Sequence, residues 1–299
     1  MFIIKYKNIF IGISSLLVVT SIVLMSVFGL KLGIDFKGGA VTEIAYTGAR
    51  PDVDVVRAQI APLGLGEVFI QPAGDADYMI KSRDLSDNER ISLLTALKGN
   101  NTQAVEKSFN SIGPSVGHEL ARKALVAIVL VSLGIVIFIA FAFRGVSEPV
   151  ASWKYGVIAI GTLLHDIMIP TGIFAVLAKI YGIEVDTLFV VALLTILGLS
   201  VSDTIVIFDR IRENLRNRTY ATFTETVGKS IEQTFVRSIN TSLAVILVLL
   251  ALVFFGPAST KVFAIMLTAG MFFGTYSSIF LASPLLVLVE SLQKKNKNK

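Results

Sequence analysis

The sequence has no cysteine and only two histidines, His118 and His165, in 299 residues. The first absence excludes disulfides, thiolate metal sites and thiol nucleophiles, so any folded domain is held by packing alone. Charge is also scarce, at 16% of residues against about 25% in an ordinary soluble domain. The deficit falls in long uncharged runs, and the mean hydropathy is +0.73. A net charge of +5 would suit nucleic acid. Here the basic residues stand beside the apolar runs, where they act as topology signals rather than as a binding face.

An apolar run of about 18 residues or more reads as a bilayer-spanning helix, because about 20 residues at about 1.5 Å each cross a core of about 30 Å. Six runs qualify: 9–30, 123–144, 154–179, 187–208, 238–260 and 262–289. The first is too long for a signal-peptide core and lacks a small-x-small cleavage site, so it reads as an uncleaved anchor. Lys5 and Lys7, Arg144 and Lys154, Arg210, Arg212, Arg216, Arg218, Lys229 and Arg237, and tail residues Lys294, Lys295, Lys297 and Lys299 fall on one side of six spans. That side is expected to be cytoplasmic. Both termini then lie inside and residues 31–122 outside. The expected division is 1–30 for the N-terminus and first span, 31–122 for an extracytoplasmic domain, 123–290 for spans two to six, and 291–299 for a basic tail. His118 and His165 fall half a membrane apart, which leaves no metal site.

Residues 31–122 alone have soluble composition. The segment 40–46 alternates like a strand; 51–63 reads as a helix with Val55, Ile60 and Leu63 on one face. Strands are expected at 67–71 and 78–81, joined by a Gly-Asp-Ala-Asp turn, and at 103–109. The clearest helix is 86–97, with Ser86 as N-cap, Glu89 closing a capping box, and Ile91, Leu94 and Leu97 apolar. The order β-α-β-β-α-β predicts a ferredoxin-like α+β domain. The fold class is thus an all-α polytopic bundle of six transmembrane helices with one inserted α+β domain.

Few ionisable residues lie inside the runs. Asp203 sits about five residues from the end of the fourth run, roughly 7–8 Å deep, and a charged Asp near a helix centre costs about 2.5–3.5 kcal/mol without a partner or water. Arg237 opens the fifth run at similar depth and is expected to meet it. Spacing leaves two readings open, a proton carrier and a fixed ion pair between helices. His165 and Asp166 lie near the middle of the third run. Adjacent residues point about 100° apart, so a shared site is difficult, and a relay step stands beside interhelical hydrogen bonding. Pro170 in the same run is expected to kink its helix. Gly270 and Gly274 form a G-x-x-x-G that allows close packing within the chain or against another subunit. No paired aspartates or Ser/His array supports an intramembrane hydrolase.

More specific stretches follow in order: GIDFKGGA (33–40), IGPSVGHEL (112–120), LLHD (163–166), SDTIVIFDRIREN (202–214), RSINTSL (237–243) and GTYSSIFLASPLL (274–286). Together they resemble the SecF family, the smaller subunits of the bacterial SecD–SecF protein-export complex, within the resistance-nodulation-division superfamily. The resemblance implies no enzyme, no cofactor and a proton as coupling ion, with the proton-motive force promoting preprotein export across the plasma (inner) membrane. It implies SecD as heterodimer partner, the SecYEG channel, YajC and a translocating preprotein as further partners, and no nucleic acid. It assigns proton coupling to Asp203 and Arg237, and a secondary relay to His165, Asp166, Asn240 and Thr241. Ser202 stands where the family usually has Asn, and Ala244 and Val245 follow Leu243 where it usually has a threonine pair. The competing functions are a non-transporting scaffold subunit and a small-molecule efflux protein of the same superfamily.

Overall fold

The computed structural model describes residues 2–74, 76–98, 104–142 and 150–297. Arg144 of the expected second link, Asp75 of the expected turn and Gln103 of the expected last strand lie outside them. In chain order the elements are α1 (Phe2–Lys5), α2 (Lys7–Phe28), α3 (Ile34–Lys37), β1 (Gly39–Tyr46), α4 (Val53–Ile60) with a 3-10 turn (Ala61–Leu63), β2 (Phe69–Ala73), β3 (Asp77–Ser82), α5 (Asp87–Lys98), β4 (Ala104–Ile112), α6 (Pro114–Ala142), α7 (Ser152–Tyr181), α8 (Thr187–Arg216), α9 (Phe223–Phe255), α10 (Ala258–Ser277), a π turn (Ser278–Ala282) and α11 (Ser283–Lys297). Contacts divide them into an α/β unit, residues 32–126 with 184–186, and a helical unit, residues 1–31, 127–183 and 187–299.

The α/β unit is a four-stranded antiparallel sheet in the order β2-β3-β1-β4, the ferredoxin-like order. Alternate residues of β1, Ala40, Thr42, Ile44 and Tyr46, are buried, as a pleat with one covered face requires. Ala40, Ile44 and Tyr46 meet Tyr78 and Ile80 of β3, Val56 and Ile60 of α4, and Leu93 and Leu97 of α5 in one core. The capping box at α5 forms as expected: the Ser86 amide donates to Glu89 Oε2 at 2.9 Å, and the Glu89 amide to Ser86 Oγ at 3.4 Å. Two helix faces differ from expectation. Val55 is half exposed while Val56 is buried, and Ile91 is exposed while Leu93 is buried. Each short helix offers two adjacent apolar rows, and the sheet covers the one that the connections turn toward it.

Gly38 and Gly39 in GIDFKGGA adopt φ of +82° and +139°, which side chains with a Cβ rarely do. A Cβ on Gly38 would lie 2.7 Å from Pro114 Cα, and one on Gly117 would lie 2.7 Å from the Gly38 amide nitrogen. The two glycine-bearing stretches therefore touch backbone to backbone. Residues 184–186 add an edge to the same unit: Gly33 donates its amide to the Val185 carbonyl at 2.8 Å, and Lys81 donates to Glu184 Oε2 at 2.9 Å.

Among the described residues six helices are long and apolar enough to cross a membrane: Lys7–Phe28, Pro114–Ala142, Trp153–Tyr181, Thr187–Arg216, Phe223–Phe255 and Ser259–Lys294. The expected fifth run, 238–260, crosses a break. α9 begins 15 residues earlier, where Thr222 Oγ1 accepts from the Glu225 amide at 3.2 Å, and it ends at Phe255. Gly256 and Pro257 follow, and proline cannot continue a helical hydrogen-bond ladder. The expected tail remains helical through Lys297. Pro170 sits inside a continuous α7, where its missing amide leaves the Asp166 carbonyl without its helical donor. The π turn precedes Pro284, whose ring crowds the carbonyl four residues back; Ser283 Oγ donates to the Ser278 carbonyl at 3.2 Å across the widened turn.

Candidate functional site

α9 carries a buried hydroxyl at every fourth position, Thr226, Ser230, Thr234, Ser238 and Ser242, so one stripe of the helix is polar. The first three donate to the carbonyl one turn back, at 2.7–3.0 Å. Ser238 and Ser242 reach neighbouring helices instead. Ser238 Oγ donates to Asp203 Oδ1 of α8 at 2.6 Å, and Ser242 Oγ lies 2.5 Å from Thr275 Oγ1 of α10. Thr204 of α8 meets Ser278 of the π turn at 2.7 Å. A seam of hydroxyls thus runs between α8, α9 and α10.

Two carboxylates enter this seam. Asp166 of α7 is fully buried. Its Oδ1 lies 2.8 Å from His165 Nδ1, and its Oδ2 accepts from Ser277 Oγ at 2.8 Å and from Ser200 Oγ. The expectation that His165 and Asp166 diverge is not met. α7 packs against α2 on one side and α8 and α10 on others, so directions 100° apart are both interior, and the short Asp side chain bonds its neighbour's ring. Asp203 lies three residues, a little less than a full turn, beyond Ser200 on α8. Its Oδ2 is buried with no partner in the protein among the described residues.

Arg237 does not meet Asp203, contrary to the sequence expectation. It is exposed on α9, because the rotation that turns Ser238 to the carboxylate turns the preceding residue about 100° away. Asn240 and Thr241 are exposed on that outer side as well. The Thr241 hydroxyl donates to the carbonyls of Arg237 at 2.9 Å and Ser238 at 3.0 Å. Within this chain the seam positions of α9 are therefore Ser238 and Ser242. Their four-residue spacing, continued from Thr226, was the sequence signal for them. Gly270 and Gly274 face α8: a Cβ on Gly270 would lie 2.2 Å from Ile196 Cγ1, and one on Gly274 3.1 Å from Ser200 Cβ. That approach brings the α10 hydroxyls to the carboxylate.

At the end of α8, Arg212 pairs with Asp209 and Arg210 with Glu213, each at 2.6 Å. Asn214 Nδ2 donates to Ser230 Oγ at 2.8 Å and to Gln233 Oε1 at 2.9 Å. The charged stretch DRIREN thus ties α8 to the first half of α9. Among the described residues no group of three or more histidines and carboxylates gathers to hold a metal ion.

The family described as protein export membrane protein SecD/SecF, C-terminal, matches residues 92–292, and the SecD/SecF GG motif matches residues 23–49, around Gly38 and Gly39. A protein translocase subunit SecF of Thermobaculum terrenum is 43% identical over 302 residues, 97% of this chain and 94% of that protein. The chain belongs to the SecF family. It is accordingly a multi-pass membrane subunit of Sec protein export, a transport component and not an enzyme, with SecD as its partner. The protein translocase subunit SecDF of Bacillus subtilis is 35% identical over 93% of this SecF-family chain, which spans 36% of its length. A crystal structure of SecDF from Thermus thermophilus superposes with a TM-score of 0.82 at 32% identity, over 96% of this chain and 38% of that one. Asp166, Asp203 and Ser238 all fall within the residues matched by the family.

Proposed function

We propose that this SecF-family subunit couples the proton-motive force to preprotein export, with Asp203 as the carboxylate that gains and loses the proton. The observation that carries the reading is the state of that side chain. It lies inside a membrane-spanning helix, one oxygen held by Ser238 and the other buried without a protein partner. A carboxylate in hydrocarbon is costly unless it faces water or a partner, so the open oxygen is where a proton is exchanged.

Arg237 acts from a different place than its spacing suggested. With Asn240 and Thr241 it forms a polar strip on the outer side of α9, and an arginine at that depth needs cover other than lipid. SecD supplies that cover, so Arg237 bears on Asp203 only in the assembled complex. The complex sits in the inner membrane beside SecYEG and YajC. Both termini are cytoplasmic and residues 31–122 meet the preprotein outside. Each charge crossing 100 mV releases about 2.3 kcal/mol, which shifts a two-state domain equilibrium more than tenfold without unfolding a domain.

Asp203→Asn keeps the volume and a hydrogen-bonding side chain but cannot ionise. It should assemble with SecD yet abolish the uncoupler-sensitive part of export, measured per assembled complex. Arg237→Ala should impair the same part, and Arg237→Lys should retain some of it. Uncoupler-sensitive export at normal assembly in Asp203→Asn removes this carboxylate from the proton path. For the orientation, cysteines introduced at Asp84 and Arg216 should label from opposite sides of intact cells; labelling from the same side overturns it.

A further inference from the structure

The His165 ring is buried beside a half-buried Tyr276, and among the described residues each keeps a buried polar atom without a protein partner. The rings stack with centroids 6.2 Å apart and planes 19° apart. His165 Nδ1 is engaged by Asp166, while Nε2 is buried and unpartnered, as is Tyr276 Oη. About nine in ten buried polar groups find a partner, and internal water, making about three hydrogen bonds, serves where protein does not. A third such atom, Ser14 Oγ of α2, lies in the same neighbourhood: Phe10, one turn earlier, packs on Phe280 at 4.8 Å, and Phe280 stacks on Tyr276 at 5.2 Å. Nε2 lies on the edge of the imidazole away from the nitrogen that Asp166 engages.

We infer that Asp166 is a second proton-binding site of the helical unit, separate from Asp203, and that His165 fills it from a water held by Nε2 and the Tyr276 hydroxyl. The inference extends the proton-coupling reading. In the loading step a proton carried by that water bonds to Nε2, the Nδ1–H bond breaks, and the released proton bonds to Asp166 Oδ1. One proton enters and one carboxylate is neutralised. The imidazole is neutral before and after, with its tautomer exchanged, and the reverse passage restores it. The titratable groups facing Asp166 are His165 on its own helix, Asp203 on α8 and Tyr276 on α10; α2 contributes only the hydroxyls of Ser14 and Ser21.

Loading acts on the fold through the two serines. Ser200 and Ser277 donate to a charged acceptor when the site is empty and to a weaker, neutral one when it is filled. These bonds join α7 to α8 and α10, at the turn where Gly274 brings α10 against Ser200. The proton on Asp166 therefore sets how firmly the three helices are tied beside Asp203.

The test is a pH jump on the full chain assembled with SecD in lipid nanodiscs, read by time-resolved infrared absorption of protonated carboxyl groups. Two bands are expected, one removed by Asp203→Asn and the other by Asp166→Asn. His165→Gln should leave the final amplitude of the Asp166 band but slow its appearance at least about tenfold, the scale of a lost proton-transfer group. Tyr276→Phe, which keeps the ring stack and removes one oxygen, should slow it severalfold, and it carries the test if His165→Gln does not assemble. A structural role for the dyad leaves the rate untouched. Absence of a band that Asp166→Asn removes, or an unchanged rate in the assembled variants, overturns the inference. Loss of the Asp203 band alone defeats the proton-carrier reading of that residue and leaves this one standing.

Discussion

In the α/β unit the covered side of β1 is Ala40, Thr42, Ile44 and Tyr46, while Lys107, Arg83 and Glu89 lie at its surface. In the helical unit the covered side of α9 is Thr226, Ser230, Thr234, Ser238 and Ser242, while Leu247, Val248 and Phe254 are exposed. The first arrangement removes apolar surface from water. The second keeps polar groups away from lipid and lets helices associate through small residues and hydrogen bonds, because lipid tails are as apolar as leucine. A given fractional exposure therefore carries opposite meanings in the two units.

The largest expected effect tests the source of cohesion. Leu93→Ala should destabilise the α/β unit by about 2–5 kcal/mol, seen as lost amide protection in β1 and β3 of the full chain. Leu197→Ala, equally buried in the helical unit, should cost less, since it loses packing contacts without a transfer from water; equal losses would break the comparison. Next is a matched pair of surface residues, Leu130 of α6 and Ile91 of α5, both 60% exposed. Leu130→Lys should cost about 2.5–3.5 kcal/mol of membrane insertion if it lies near mid-bilayer, measured as the inserted fraction. Ile91→Lys should change stability by less than about 0.5 kcal/mol.

Ser277→Ala leaves Asp166 with one donor fewer and should lower the stability of the assembled complex by about 1–3 kcal/mol, read as a shift in thermal midpoint. The smallest effect is at Glu89. The Arg83 guanidinium and the Ser86 cap hold its carboxyl down at about 2, from an ordinary value of 4.5. Because the folded value is the lower one, this contribution is present above about pH 4.5 and fades as pH falls toward about 2. Glu89→Gln should remove that part of the acid sensitivity of the α/β unit. An unchanged acid profile shows the cap to be inert.

The features that proved legible were those with a signal of their own. Ser86 and Glu89 stand at capping-box spacing before an apolar helix, and the helix starts there. The strand order follows from an element order that packs in few ways. The face of a helix of two or three turns does not declare itself, so Val56 and Leu93 were hidden behind Val55 and Ile91 until the sheet chose between rows. The seam was harder to read, since serine in an apolar run adds no charge and barely lowers hydropathy. Arg237 drew attention as a charge, while the contact belonged to Ser238 beside it. The start of α9 was missed for the same reason: Thr226, Ser230 and Thr234 are shielded by protein and need no apolar composition to be helical there.

The π turn at Ser278–Ala282 has a consequence for chain length. Hydrogen bonds closing over five residues instead of four hold one residue more than the same arc of α-helix. The surplus falls after the point where Ser277 reaches Asp166 and its immediate neighbour Ser278, about 100° round the helix, reaches Thr204. Shortening the chain by one residue between 279 and 282 would let the turn relax to ordinary winding, with α10 and α11 keeping their angular phase. The same deletion near Met266 would rotate everything beyond it by about 100°, carrying Gly270, Gly274 and Ser278 off α8 and Ser277 away from Asp166 of α7. Tolerance to deletion is thus uneven along this last span, and a scan of single-residue deletions would locate the spare residue as one permissive window in an otherwise intolerant helix.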